Sequence, residues 1–99
     1  MTKKIAPVHP GEVLLEEFLK PAGVSQNQLA LHMSITVSRI NEIIRARRGI
    51  TGNTALRLAR ATNTTPEFWL NLQALYDLET AKDALGDTLE QEVTLAFEH

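Results

Sequence analysis

Ser25 and Thr36 each stand where a helix begins, and the residues after them leave room for little except two short crossed helices. A serine or threonine hydroxyl at such a position accepts from a backbone N–H of the first turn that has no partner of its own. After Ser25, Leu29 and Ala30 fall on one inward face, and Ala30 is small enough for a second helix to cross close to it. After Thr36, Ile40, Ile43 and Ile44 recur at helical spacing, while Arg39, Asn41, Glu42 and Arg45 take the outward positions. Met33 to Ile35 is left as the turn, and Gly49 stands beyond the second helix, where a left-handed residue is expected to end it.

Two helices crossing over so short a turn form a helix-turn-helix. The turn usually carries a glycine; Ser34 stands in its place here. Any pair of adjacent amphipathic helices in a small bundle shares much of this local pattern, so the rest of the chain has to decide between the two.

The remaining punctuation predicts three more helices. His9-Pro10-Gly11-Glu12 leads into the first, with Val13, Leu14, Leu15, Phe18 and Leu19 inward and Glu12, Glu16, Glu17 and Lys20 wet; Pro21-Ala22-Gly23 ends it. Thr51 or Asn53 caps a fourth helix running to about Thr62, with Ala55, Leu56, Leu58, Ala59 and Ala61 inward and Arg57 and Arg60 in solvent. Thr65 caps a fifth that begins at Pro66 and runs to about Ala84. Its apolar residues cover more than one face, so it needs burial on two sides. A small core covers one side. A second copy is expected to cover the other, through Phe68, Trp69, Leu72, Leu75 and Tyr76; a tail folded back over the helix is the alternative. Past Gly86, Leu89, Val93 and Phe97 are spaced for one short helix, capped by Asp87 or Thr88; a mobile tail is the alternative. The expected fold is therefore all-α: an arm over residues 1–8, a five-helix domain over 9–85, and a tail over 86–99.

Composition narrows the function classes. At 43% hydrophobic and 22% charged residues in 99, the chain is too apolar to stay disordered and long enough for one core. No apolar run approaches the length of a membrane span, and residues 1–10 lack the apolar centre of a secretory signal, so a cytoplasmic home is expected. With no cysteine there is no disulfide and no thiolate metal site. His9, His32 and His99 are scattered, without a second ligand at helical zinc spacing, so no metal is expected. Glu16 and Glu17 are adjacent and point apart. No catalytic constellation and no cofactor loop stand out, and the chain is not expected to be an enzyme.

The net charge of −2 argues weakly against nucleic acid, but its distribution reverses the argument. Arg39, Arg45, Arg47, Arg48, Arg57 and Arg60 lie between Thr36 and Arg60 against Glu42 alone; Asp77, Glu79, Asp83, Asp87, Glu90, Glu92 and Glu98 crowd the end. A phosphate responds to local charge. The expected reader is the first turn of the second central helix: Thr36, Val37, Ser38 and Arg39, with Glu42 one turn on. Gln26 at the start of the preceding helix and Arg45, Arg47 and Arg48 are expected at phosphates. Arg39 meets either a guanine or a phosphate. Double-stranded DNA is the expected ligand, and a dimer would read a palindrome with half-sites about 34 Å apart.

One series of residues carries a family resemblance: His9-Pro10-Gly11-Glu12, Ser25-Gln26-Asn27-Gln28-Leu29-Ala30, Arg39-Ile40-Asn41-Glu42-Ile43, Arg48-Gly49-Ile50-Thr51, Thr54-Ala55-Leu56-Arg57-Leu58-Ala59, Thr65-Pro66-Glu67-Phe68-Trp69-Leu70-Asn71-Leu72-Gln73 and Tyr76-Asp77-Leu78. In order, these resemble the HigA (VapI-like) antitoxins of the Xre-type, lambda-repressor-like class. The match covers about His9 to Glu79; the Pro-Glu-Phe-Trp-Leu block is its specific part. The resemblance implies a five-helix dimer that neutralises a HigB-type, RelE-like toxin cleaving messenger RNA and that represses its own operon. A stand-alone repressor without a toxin, or an interaction module with a degenerate helix-turn-helix, are the other readings.

Overall fold

The computed structural model describes residues 6–97. Six helices follow one another, and no strand occurs among the described residues. The first, α1, runs without a break through three segments, Pro10–Val13, Leu14–Leu19 and Lys20–Ala22. Then come α2 (Gln26–Met33), α3 (Val37–Ile44), α4 (Gly52–Thr62), α5 (Pro66–Leu85) and α6 (Thr88–Glu92).

Local chemistry explains the boundaries. Ser25 opens α2 with a reciprocal box: its hydroxyl accepts from Gln28 N–H, and Gln28 Oε1 accepts from Ser25 N–H. Thr36, Thr51 and Thr65 accept from Arg39, Thr54 and Phe68 N–H and so open α3, α4 and α5. Of the two candidates at α4, Thr51 is the cap. Ser34 adopts φ 55° at the end of α2, the left-handed turn expected there, and Asn63 does the same for α4 at φ 57°. The stop after α3 differs from expectation. Ala46, not Gly49, takes the left-handed conformation at φ 60°, and Arg47 N–H closes back on the Glu42 carbonyl at 2.8 Å. Gly49 serves another need: a Cβ there would press on the side chain of Gln73.

The middle of α1, Leu14–Leu19, winds as a π-helix, with Lys20 N–H donating to the Leu15 carbonyl. Spacing alone did not foretell it. Pro21 has no N–H to donate, and its ring needs the space an α-helical Glu17 carbonyl would fill, so the wider turn before it removes the conflict. Gly23, left-handed at φ 67°, ends the helix.

The core gathers Leu14 and Leu19 from α1, Leu29, Ala30 and Met33 from α2, Ile40 and Ile43 from α3, Ala55, Leu58 and Ala59 from α4, Trp69 from α5, and Ile50 from the loop before α4. Leu56 and Ala61, expected inward, are exposed. Trp69 is fully buried, its indole N–H donating to Thr64 Oγ1 at 2.9 Å and its ring beside Phe18. It therefore belongs to the core of its own chain and not to an interface, and Leu72 packs against the same core. A buried indole holds its aromatic area out of water and still satisfies its donor, which fixes α5 on the bundle.

The HPGE segment is a joint. His9 Nδ1 accepts from Gly11 N–H at 2.9 Å, opening α1, and its ring meets the edge of Tyr76 from α5. Pro10 occupies the first helical position and is buried. Gly11 lies so close to α3 that a Cβ would overlap the Ile43 carbonyl oxygen. These three residues thus lock α1 onto both α3 and α5.

Beyond Tyr76, α5 leaves the bundle. Almost every residue from Asp77 to Phe97 is exposed, and the molecule extends to 50 Å in its longest direction. The short α6 does not bury the expected Leu89–Val93–Phe97 stripe; all three are exposed. Asp87 precedes it without a side-chain cap bond. The described part of the tail, to Phe97, does not fold back over α5.

Candidate nucleic-acid interface

The Thr36 hydroxyl is the cap of α3 and sits at its exposed N-terminus. Val37 is 42% exposed and Ser38 is exposed, both in the first turn. Ile40 and Ile43, fully buried, turn the opposite face of α3 into the core and so hold these two side chains outward. A methyl surface and a hydroxyl are thereby offered at the end of a helix that a major groove would receive.

Arg39 differs from the open side chain expected. It is half-buried, and its Nη2 donates to Thr54 Oγ1 at 2.6 Å. Thr54 is itself buried on α4 and also lies 3.2 Å from the Thr51 hydroxyl. Arg39 Nε is buried without a partner. The guanidinium therefore ties α3 to α4, which limits how far it reaches.

Gln26 and Asn41 meet across the motif. Asn41 Nδ2 donates to Gln26 Oε1 at 3.2 Å, joining the first turn of α2 to the outer face of α3. Asn41, placed on the outward face of α3 by its spacing, thus makes a bond within the motif. The pair fixes the Gln26 amide at the edge of the motif.

Glu42 and Arg48 meet as well. Arg48 donates from Nε at 3.1 Å and from Nη2 at 2.9 Å to one carboxylate oxygen, Oε1. Both side chains are 41–49% exposed, so the pair contributes little to stability, on the order of 0–1 kcal/mol. It links the loop after α3 to the helix that the Ala46 turn and the Arg47 N–H to Glu42 carbonyl bond have already closed. Glu42 was expected among the reading residues and Arg48 at a phosphate; each is the other's partner here. Arg45 and Arg47 are exposed on the same loop.

Three residues outside the predicted set hold this loop and turn. Arg57, expected in solvent, donates from Nη1 to the Met33 carbonyl at 2.8 Å and from Nε to Asn53 Oδ1. It caps the C-terminal end of α2 from α4. Gln73 on α5 accepts from Ile50 N–H at 2.7 Å and donates to Asp77 at 2.9 Å, so the arginine loop is anchored to α5. Thr54 completes the set. A buried threonine on an otherwise apolar helix face was the only signal of these in the sequence. The reach of Arg57 and Gln73 depends on how distant segments pack.

Burial pushes the His9 imidazole below its ordinary pKa, and the charge of Asp77 partly opposes this. Because Nδ1 accepts from Gly11, the neutral ring carries its proton on Nε2. No group of three or more metal-ligating side chains occurs among the described residues, and no described helix is long and apolar enough to cross a membrane.

Comparison with known proteins agrees with this geometry. Residues 15–69 match the Helix-turn-helix family. Virulence-associated protein I of Dichelobacter nodosus is 52% identical over 75 residues, which is 76% of this chain and 69% of that protein. The antitoxin HigA of Pseudomonas aeruginosa, solved with the higBA promoter, superposes with a TM-score of 0.87 at 40% identity, covering 92% of this chain and 99% of that one. Antitoxin GraA in complex with its operator superposes with a TM-score of 0.88 at 41% identity over 99% of both chains.

Proposed function

The chain belongs to the helix-turn-helix family and, within it, to the HigA-type antitoxins, and from that premise we propose that it binds operator DNA through α3, restrains a toxin, and represses the genes that encode both. The observation that carries the DNA reading is the outward first turn of α3. Val37 and Ser38 are exposed there while the helix behind them is locked to α1, α2 and α4. A reading helix must be rigid where it is held and open where it reads, and α3 is both.

Within this reading the roles divide by position. Val37 packs on a thymine methyl and Ser38 bonds a base edge. Gln26, already oriented by Asn41, and the Thr36 end of α3 meet phosphates, as do Arg45 and Arg47 from the loop. Glu42 and Arg48 link that loop to α3 and exchange their mutual bond for base or phosphate contacts on docking. Arg39 acts from behind, as the strut between α3 and α4. A homodimer presents two such helices to a palindromic site. The toxin is of the HigB type, a RelE-like ribonuclease that cleaves messenger RNA, and the pair works in the cytoplasm.

Co-expression with the adjacent open reading frame, with a tag on this chain only, tests the toxin assignment. Co-purification of a small basic protein in fixed stoichiometry is the expected result. Capture of this chain alone, with retained binding to its upstream DNA, would replace the antitoxin reading with that of a stand-alone repressor.

A further inference from the structure

We infer that the joint of α1, α2 and α4 is a binding site for a small carboxylate with an apolar body, of the size of a medium-chain fatty acid. The site shares no residue with the reading turn of α3. Two adjoining hollows form it, and His32 and Ala61 line both. The first, of about 310 Å³, has walls of Phe18, Leu19, Ala22, Val24 and Leu29. The second, of about 410 Å³, is bounded by Arg57, Arg60 and the end of α2 at Met33 and Ser34. Both volumes fall in the range of small-molecule pockets. An engineered cavity of roughly 150 Å³ takes benzene, so the first hollow has space for a ring or a short acyl chain.

The apolar walls are held by contacts of their own. Phe18 and Leu19 are the last two residues of the π-helical turn in α1. The Phe18 ring packs on Trp69 with centroids 5.3 Å apart. Val24 N–H donates to the Leu19 carbonyl at 3.0 Å, which sets Val24 beside it. Leu19 and Leu29 are buried members of the core, so the floor of the hollow is as fixed as the core itself.

The charge at the other end selects an anion. No Asp or Glu lines either hollow. The carbonyls that end α2 are already answered: Ala30 by Ile35 N–H, Leu31 by Ser34 N–H and Met33 by Arg57. Arg57 uses Nη1 for Met33 and Nε for Asn53, which fixes its guanidinium and leaves Nη2 to give. Arg60 and His32 make no hydrogen bond or ion pair among the described residues. A carboxylate accepts strongly from guanidinium N–H groups. A ligand whose chain fills the first hollow and whose carboxylate reaches the second therefore matches both ends at once. An anion without the chain leaves the apolar walls wet, and a chain without the anion leaves the cations unanswered.

Octanoate is the probe, with 1-octanol as the chain without the charge and acetate as the charge without the chain. The full-length protein, labelled at its Leu and Val methyls, is titrated with each and followed by NMR. The expected result is saturable shifts at Leu19, Val24 and Leu29, while Leu56 and Leu95 on the open surface stay unmoved. Octanol should bind about tenfold more weakly than octanoate. Hexanoate, two CH₂ groups shorter, should also lose about tenfold. Arg60→Gln, at an exposed position, should weaken octanoate by about threefold and leave octanol unchanged. Ala61→Phe, exposed where the hollows meet, should abolish binding, with circular dichroism reporting its fold. No saturation by about 10 mM octanoate would overturn the site. Equal affinity for octanol, or undiminished binding by a folded Ala61→Phe, would overturn it too. Shifts at the same methyls on raising the protein concentration alone would assign the hollow to a second copy and overturn the ligand.

Discussion

The guanidinium of Arg39, in the first turn of α3, donates to the hydroxyl of Thr54 on α4 across 2.6 Å, while its own Nε is buried without a partner. An arginine in the reading turn of such a helix invites assignment to a base. Here its reach is committed inward. Thr54→Val keeps the shape and removes the acceptor, leaving a half-buried cation short of a bond. The expected loss of stability is about 1–3 kcal/mol, read by chemical denaturation, whereas Thr54→Ser should stay close to the native protein. If Thr54→Val is neutral in stability and in DNA affinity, the strut has no role.

His9 gives the fold a pH dependence with a definite sign. Burial lowers its folded pKa below the unfolded value of 6.5. Its contribution is therefore complete above pH 6.5 and is lost as the pH falls from there through the lowered folded value, because the unfolded chain takes up the proton first. Protonation at Nδ1 also removes the acceptor for Gly11 N–H. Denaturation midpoints at pH 7.5 and 5.5 should differ in the native protein more than in His9→Asn, which can still cap α1 without titrating. Equal slopes for the two would exclude His9 as the source.

Two small residues at α3 respond in opposite directions. Ala46 is left-handed, which costs a residue with a Cβ about 1–2 kcal/mol. Ala46→Gly relieves that cost but adds unfolded-chain freedom worth about 0.4–1 kcal/mol, so a modest net gain is expected. Gly11→Ala should do the reverse. Its methyl would collide with the Ile43 carbonyl, so α1 and α3 must separate, at a cost of at least about 1–3 kcal/mol for overpacking. Thermal melts of both variants decide the matter, and a Gly11→Ala melt equal to native would refute the close approach.

Arg47 and Ser38 should separate affinity from specificity. Arg47→Ala is expected to weaken binding to operator and random DNA alike, and to reduce the dependence on salt by about one counterion. Ser38→Ala is expected to weaken the operator complex by about 1–3 kcal/mol with little effect on random DNA, measured by fluorescence anisotropy at two salt concentrations. Equal losses on both DNAs for Ser38→Ala would remove it as a reader.

The helices and their order were legible because their signals are local. Ser25, Thr36, Thr51 and Thr65 cap within three residues of themselves, so no distant contact was needed to place them. Where a local rule had two solutions, sequence misplaced the answer. Gly49 looked like the stop after α3, yet the chain turned three residues earlier, at Ala46. A Schellman-type bond from Arg47 to Glu42 had already satisfied the helix end, and Gly49 was needed for its closeness to Gln73. Trp69 was grouped with the exposed face of α5 because its neighbours are apolar on every side. Only the position of Phe18 and Thr64 shows that it points inward.

The sequence by itself determined five principal helices, the motif at their centre, the split of basic and acidic surface, and the family. Each rests on short-range periodicity, capping or charge order, which survive in one dimension. Tertiary structure decided which arginines are struts and which are free to meet a phosphate, since Arg39 and Arg57 look like Arg45 and Arg47 until Thr54 and Met33 arrive beside them. It also decided which stripe of α5 stays uncovered. Both are questions of which distant atoms come within about 3 Å, the range over which a hydrogen bond acts, and spacing along a chain does not encode that distance.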